Sequence, residues 1–519
     1  MKRLSVVLLL CARMAAADPG ESYTPPDFMS ALPPLPPTVD ASKVWRLSLA
    51  EALQVALHQN LGIVIERENV VIANNAITVS RGPFEPLLTA GYSHDRSDVP
   101  PTTAQQGQAG SKLTSINDDW RVTLSEKFET GTTVSLDFNN IRARSSAGTA
   151  VLPLYYDSYL SLSVTQPLLR GFSPDLTVPR VDVLRAKIAS ERERAQLTVT
   201  ATAVVQATEN AYWDVVSALY AYDLQLRSQK RAEDQLALTK RQIDAGLNPP
   251  SDLIAAESTL ANRKLQVLQA EATIDAAYDA LRSVLNLPHD QWARPILPVE
   301  PPQFAPSSSS AEDALAVAIK HRPEIMQLDL DLQTALLTVR QAENARLPQL
   351  DLGVTGSLIG ADNTYGATLG GIGDANAHEY NVTVNFSWTP LMQATRAQAD
   401  IAKSQQQVAK VTREQSVQNI WFEVRDAVRN QLSASRQVFA ASKFRQLSTE
   451  SLEVEQRKFL SNQSTNFTLA QHQDELAQAQ LSELTAVLVH KKATAALLKA
   501  TGRLLDERHI TLDVAKPGR

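Results

Sequence analysis

Residues 180–245 read RVDVLRAKIASERERAQLTVTATAVVQATENAYWDVVSALYAYDLQLRSQKRAEDQLALTKRQIDA, 66 positions with neither glycine nor proline. Those two residues are the strongest helix breakers, so their absence permits one very long helix. The recurring Ala, Gln, Leu, Glu, Arg and Lys favour it. Tyr212, Val215, Val216, Leu219, Tyr222 and Leu226 follow the three-and-four spacing of a helical face, and Leu236 and Ile243 continue it at seven. At 1.5 Å per residue the helix would be about 100 Å long. That is far longer than the ~30 Å hydrocarbon core of a bilayer, and the segment is too polar for lipid. Such a helix stands in water packed side by side with others as a coiled coil. From Leu391 to Thr501 glycine and proline are again both missing.

The interruptions share a form. The first long helix stops at Ala245-Gly246-Leu247-Asn248-Pro249-Pro250, and another runs from Ser251-Asp252 to about Leu285. Gly246 suits a left-handed C-cap, proline ends the helix, and Ser251 or Asp252 is expected to cap the next. The second stretch breaks at Ser461–Asn466, where Asn462 is the usual non-glycine residue of a left-handed cap, and restarts at Phe467. Each break joins a helix of about 65 residues to an antiparallel one of about 35.

Aligning the two halves exposes a repeat. Glu51-Ala52-Leu53 matches Asp313-Ala314-Leu315, and Phe84-Glu-Pro-Leu-Leu matches Arg346-Leu-Pro-Gln-Leu, both at an offset of 262. Gln166-Pro167-Leu168 then matches Thr389-Pro390-Leu391 at 223, and the tips match at 216. Four matches in one order indicate a duplication, with a longer insertion before Pro167 in the first copy. The expected organisation is a signal peptide (1–17), a Pro-rich leader (18–45), repeat 1 (46–285), a Pro/Ser-rich linker (286–310), repeat 2 (311–505) and a tail (506–519). The long helices fall at 180–245 and 391–461, and the shorter ones at 251–285 and 467–501.

Strands are expected at 87–94, 159–166, 350–358 and 380–388, with an extra hairpin around Gly131 in 120–140 whose relation to the others is open. Tyr159-Leu-Ser-Leu-Ser-Val-Thr-Gln and Tyr380-Asn-Val-Thr-Val-Asn-Phe-Ser-Trp alternate, giving one apolar and one polar face. Outer-membrane barrel strands and half-buried soluble strands both read this way. Four strands cannot close a membrane barrel alone, so spanning requires oligomerisation.

The ends and the composition narrow the class. Lys2 and Arg3, apolar Leu4–Ala12 and Ala15-Ala16-Ala17 have the order of a secretory signal. Leu10 before Cys11 argues against lipidation. Cleavage would take the formal charge from −6 to −9 and remove the single cysteine. Seven of the 27 prolines lie between Pro19 and Pro37, which reads as a stiff spacer. With 50 Lys+Arg against 56 Asp+Glu, no basic surface for nucleic acid is indicated. The eight histidines show no metal-ligand spacing, and no His-Glu-x-x-His, Gly-x-Ser-x-Gly or Gly-Lys-Ser/Thr occurs, so no enzyme, metal or cofactor is expected. The glycines at 366, 370, 371 and 373 read as a surface loop. Tyr212-Trp213 and Trp421-Phe422 read as helix packing.

Over Leu47 to about Leu505 the chain resembles the TolC-like outer-membrane efflux proteins. The resemblance is carried by the paired Ala-Leu openings, Phe84-Glu-Pro-Leu and Leu347-Pro-Gln-Leu before a strand, Thr165-Gln-Pro-Leu-Leu-Arg-Gly after one, and the two hairpin tips. It implies an α+β membrane protein. Long antiparallel coiled-coil helices would form a periplasmic α-barrel, joined to a 12-stranded β-barrel shared by a homotrimer in outer-membrane lipid. It further implies an exit duct of a tripartite efflux or type I secretion system, docked to a periplasmic adaptor and an inner-membrane pump. The competing reading is a non-channel periplasmic coiled-coil scaffold. Pro86, Pro167, Pro348 and Pro390 would sit at strand–helix junctions, turning the chain between barrels or simply ending helices. The expected periplasmic aperture comprises Gly246, Asp252, Asn462, Thr468 and Gln471. The resemblance implies two carboxylates just after the second tip, and here Thr468 and Gln471 replace them, with Asp474 one turn on.

Overall fold

The computed structural model describes residues 23, 25–30, 44–100, 112–146, 152–246, 249–292, 294–306, 310–461 and 463–512. The signal peptide, most of the leader, Asn462 and the last tail residues lie outside the described residues. In chain order the elements are α1 (Asp27–Ser30), β1 (Trp45–Leu47), α2 (Leu49–Gln59), α3 (Leu61–Arg81), β2 (Leu87–Val99), β3 (Leu113–Lys127), β4 (Thr133–Ser145) and β5 (Leu154–Pro167). There follow α4 (Val181–Asp244), α5 (Ser251–Leu285), β6 (Ile296–Pro298), α6 (Ala311–His321), α7 (Pro323–Asn344), β7 (Gln349–Asp362), α8 (Tyr365–Gly373), β8 (Ala377–Ser387), α9 (Gln393–Leu460), α10 (Asn466–Ala500) and α11 (Leu504–Glu507). The long helices α4 and α9 have 64 and 68 residues, and each is followed by one of 35. Two compact units result, one from described residues within 1–68, 195–326 and 414–514, the other from 69–194 and 327–413.

The first unit is helical. On α4, Tyr212, Val215, Val216, Leu219 and Tyr222 are at most 1% exposed and form the centre of its core with Leu281 and Leu285 of α5 and Val487 of α10. The inward face continues to Leu224, whereas Leu226 is exposed. Short helices open both halves: Ser48 caps α2, exchanging bonds with Glu51, and Ser310 caps α6 by accepting from the Asp313 N–H. These caps satisfy amides that the helix itself leaves unpaired.

Two regions read as connectors are parts of this core. In the leader, Phe28 and Met29 of α1 are buried, the Tyr23 ring packs edge-on against Phe304 at 5.3 Å, and the Tyr220 hydroxyl donates to the Met29 carbonyl at 3.4 Å. In the linker, β6 pairs in parallel with β1, and Ile296 is fully buried. Sparse apolar residues in a Pro-rich run give no periodic signal, yet a single buried anchor suffices to pin the segment. At the other terminus, Arg508 donates two bonds to the buried Glu209 carboxylate, at 2.5 and 3.2 Å.

The second unit holds one antiparallel sheet of six strands, ordered β2-β3-β4-β5-β7-β8. This corrects the expectation of four. The hairpin at 120–140 is β3 and β4, which are longer than the sequence suggests and sit between β2 and β5. Their outer ends carry Asn117, Asp118 and Arg142, and those polar residues mask the strand pattern. The glycine-rich stretch 365–373 is a helix, not a loop: Thr368 and Ile372 are buried and Tyr365 is half-buried, so packing on the sheet offsets the low helix propensity of glycine.

The anchoring of the leader is directly testable. Met29 is 1% exposed, so Met29→Ala should destabilise the helical unit by about 2–5 kcal/mol. Thermal unfolding followed by far-UV circular dichroism should show a lowered Tm. An unchanged Tm would mean that α1 is not part of the core.

Candidate functional site

Two places combine geometry and chemistry: the sheet and the ends of the helical hairpins. Side chains alternate between the faces of a sheet, so the pairing register assigns every residue to one face. One row across all six strands runs Leu88, Leu124, Leu136, Leu162, Gly356 and Tyr380, and the next runs Ala90, Val122, Phe138, Leu160, Leu358 and His378. Val134, Val164, Val354 and Val382 extend the band toward the junction side. Toward the far end it meets Tyr92 and Trp120, then the charged row His94, Asp118 and Arg142. The opposite face is polar: Ser161 bonds Ser357 at 2.8 Å, Ser163 bonds Thr355 at 2.9 Å, and the Thr123 hydroxyl donates to Asp137 at 2.5 Å. Leu88, Leu162, Val382, Val384 and Phe386 are each more than half exposed, so this part of the apolar face is uncovered by the described residues. Every residue of edge strands β2 and β8 is exposed, and neither outer edge pairs with another described strand.

The four prolines bracket this sheet. Pro86 precedes β2, Pro167 closes β5, Pro348 precedes β7, and Pro390 lies in the bend between β8 and α9.

The hairpin ends lie in the helical unit. Gly246 follows α4 with φ +73°, the left-handed geometry that a β-branched residue resists, and open space surrounds the position of a Cβ there. Leu238 of α4 packs against Leu452 and Phe459 of α9 and Leu469 and Leu476 of α10, which brings the two hairpin ends together. Asp252 lies in the first turn of α5, but the cap position falls on Pro250, which offers no side-chain acceptor, so neither Ser251 nor Asp252 is the cap. On α10 the cap is Thr465, whose hydroxyl accepts from the Thr468 N–H at 3.2 Å. Thr468 is half-buried and Gln471 exposed; Asn462 lies outside the described residues.

Three charged contacts at these ends escaped the sequence reading. Arg263 of α5, buried and donating to Gln266 at 2.8 Å, forms an ion pair with Asp474 of α10. Ser464 donates to the buried carboxylate of Glu455, and Lys458 reaches the same group at 3.2 Å. The Ser464 hydroxyl, with Lys458 assisting, holds Glu455 below the usual carboxylate range. Only the i, i+3 spacing of Glu455 and Lys458 was legible in one dimension. Of the two aromatic pairs, Tyr212-Trp213 is buried, whereas Trp421 and Phe422 stand exposed on α9 with Arg425 over the indole at 5.2 Å. Among the described residues no group of three or more His, Cys, Asp or Glu could hold a metal, and no helix is long and apolar enough to cross a membrane.

Comparison with known proteins accounts for both elements. Residues 314–503 match the outer membrane efflux protein family. That segment takes in most of α6, all of α7, α9 and α10, and the strands β7 and β8. A 220-residue segment is 30% identical to the alkaline protease secretion protein AprF of Pseudomonas aeruginosa, covering 40% of this chain and 43% of that relative, so the match spans less than half of AprF. The fold is that of the outer-membrane channel OprN (TM-score 0.64, 16% identity, 94% of this chain and 98% of that one). It is equally that of the Campylobacter jejuni outer membrane channel CmeC (TM-score 0.62, 13% identity, 94% of each chain).

The depressed Glu455 pKa makes the second hairpin end pH-sensitive. A carboxylate with a lowered folded pKa adds stability that is present above its ordinary value of 4.5 and lost as pH falls through the folded value. Hydrogen exchange at residues 455–461, corrected for intrinsic rates, should therefore stay protected at neutral pH and open only as pH falls below the ordinary carboxylate value of 4.5. Ser464→Ala should shift that opening to higher pH; an unchanged midpoint would show that the Ser464 contact does not set it.

Proposed function

We propose that this chain is the outer-membrane exit duct of a tripartite efflux or type I secretion system, a passive conduit that performs no chemistry on its cargo. The observation that carries the reading is the two-faced six-stranded sheet with both long edges open. In hydrocarbon every unpaired backbone group costs several kcal/mol, so such a sheet is stable there only when other copies close it into a barrel. Its apolar face then meets lipid and its Ser/Thr/Asn-rich face lines the pore. In water the same exposed apolar face and open edges would drive aggregation, which disfavours the periplasmic scaffold.

The assembly follows from the same sheet. With six strands per copy, a homotrimer closes 18 strands rather than 12. At ~4.8 Å between strands and a tilt of ~40°, the radius rises from about 12 to about 18 Å. The helices offer matching seams: Ile65, Ile72 and Val79 of α3 recur at seven and are all exposed, as do Ile401 and Val408 of α9. Such stripes are the coiled-coil spacing, and a second copy is the natural partner. The α-barrel of long helices, crossing the periplasm, would be built on these seams. The equal helices α2 and α6, their serine caps 262 positions apart, support the duplication that supplies two hairpins per copy.

The hairpin ends, with Gly246, Asp252, Asn462, Thr468 and Gln471, form the periplasmic aperture in this reading and meet the adaptor and the inner-membrane pump. The likeness to a protease secretion protein supports polypeptide cargo among the possible substrates.

Chemical cross-linking of the detergent-purified protein should saturate at three subunits. Saturation at two would mean a 12-stranded dimeric barrel, and a folded, inserted monomer would overturn the shared barrel altogether. At the mouth, replacing Thr468 and Gln471 with Asp adds two carboxylates per copy. Single-channel conductance should become more cation-selective and more readily blocked by multivalent cations from the periplasmic side. Unchanged selectivity would show that these side chains do not face the pore.

A further inference from the structure

Helix α8 lies on the apolar face of the sheet, and what it covers there is polar. Asn140 and Ser158 share one cross-strand row with Tyr92, Trp120 and Gly360, beside the Leu–Val band. They are 1% and 0% exposed, and the Ser158 hydroxyl donates to Asn140 Oδ1 at 2.7 Å. Tyr365 seals the pair from above, its hydroxyl 3.3 Å from the same oxygen and its ring stacked edge-on to Trp120 at 5.6 Å. The approach is close: a Cβ on Gly360 would lie 2.0 Å from the Thr368 carbonyl oxygen, so only glycine lets α8 settle on β7. The outward side of α8 is Gly366, Ala367, Leu369 and Gly370, with no charge anywhere in the helix.

We propose that α8 is a lipid-facing lid: its outward side contacts outer-leaflet lipid at the boundary of the hydrocarbon, and its inward side hides a polar pair that would otherwise face that lipid. The inference rests on the reading of the apolar face as the lipid face. Three observations carry it. The apolar band runs without interruption up to the lid, and the outward residues continue it without a charge. Tyr92 and Trp120 stand in the same row, the depth at which aromatic girdles collect in membrane barrels. The next row out is charged, with Arg142 3.4 Å from Asp118, which places the water boundary one row beyond. Two uncovered polar side chains on the lipid face would each cost a desolvation penalty, whereas a small uncharged helix surface costs none. The same residues serve poorly as a seat for soluble protein, since they offer no hydrogen-bonding side chain.

The test uses the full chain with Cys11→Ser and single reporter cysteines, each labelled with an environment-sensitive fluorophore. The proteins are reconstituted in phosphatidylcholine–phosphatidylglycerol vesicles. Ala367→Cys reports the lid, Val382→Cys the apolar band, and Asn381→Cys the polar face. The Ala367 label should lose emission to doxyl-labelled lipid to the same extent as the Val382 label and resist aqueous iodide, while the Asn381 label should do the reverse. If Val382 is quenched by lipid but Ala367 only by iodide, the lid faces water and the inference falls alone. Resistance of Ala367 to both quenchers would place protein over the lid and overturn it as well. Quenching of Val382 by iodide would overturn the lipid-face reading and the lid with it.

Discussion

The backbone groups along two strand edges constrain everything else in this protein. β2 and β8 present 13 and 11 residues whose outer edges have no strand partner among the described residues. In a bilayer, water cannot satisfy those groups, and no other described strand pairs with them. In the proposed duct, insertion and assembly are therefore one event. In the proposed assembly the exposed seven-spaced residues of α3 and α9 act in water, where the hydrophobic effect replaces backbone pairing as the reason for copies to associate.

The hairpin ends show a different use of charge. The family resemblance implies acidic side chains at the second end, yet Thr468 and Gln471 stand there, and the nearest acid, Asp474, is held by Arg263 from the neighbouring hairpin. A carboxylate committed to a guanidinium offers little free field to passing cations. Removing Asp474 would leave the buried Arg263 charge without this partner, so the pair stabilises the contact between hairpins chiefly by being complete. Glu455, held by Ser464 and Lys458, ties the end of α9 to its own turn in the same manner. The described hairpin ends thus carry internal charged pairs at Asp474 and Glu455.

What the sequence determined by itself was local. Missing prolines and glycines, the spacing of Tyr212, Val216 and Leu219, and the left-handed Gly246 are properties of neighbours along one chain. They sufficed for four long helices and their breaks. The tertiary structure alone decided the strand count, because β3 and β4 are recognisable only by what they pair with; their polar outer ends hide the alternation. It alone turned the glycine-rich stretch 365–373 into a helix, since that helix is stabilised by Thr368, Ile372 and the absent side chain of Gly360, not by its own propensity. It also seated Met29 in the core and joined Arg263 to Asp474, 211 positions further along the chain. The physical reason is the same in each case: helix propensity and capping act within a turn or two, whereas burial and ion pairing depend on partners that only the folded chain brings near.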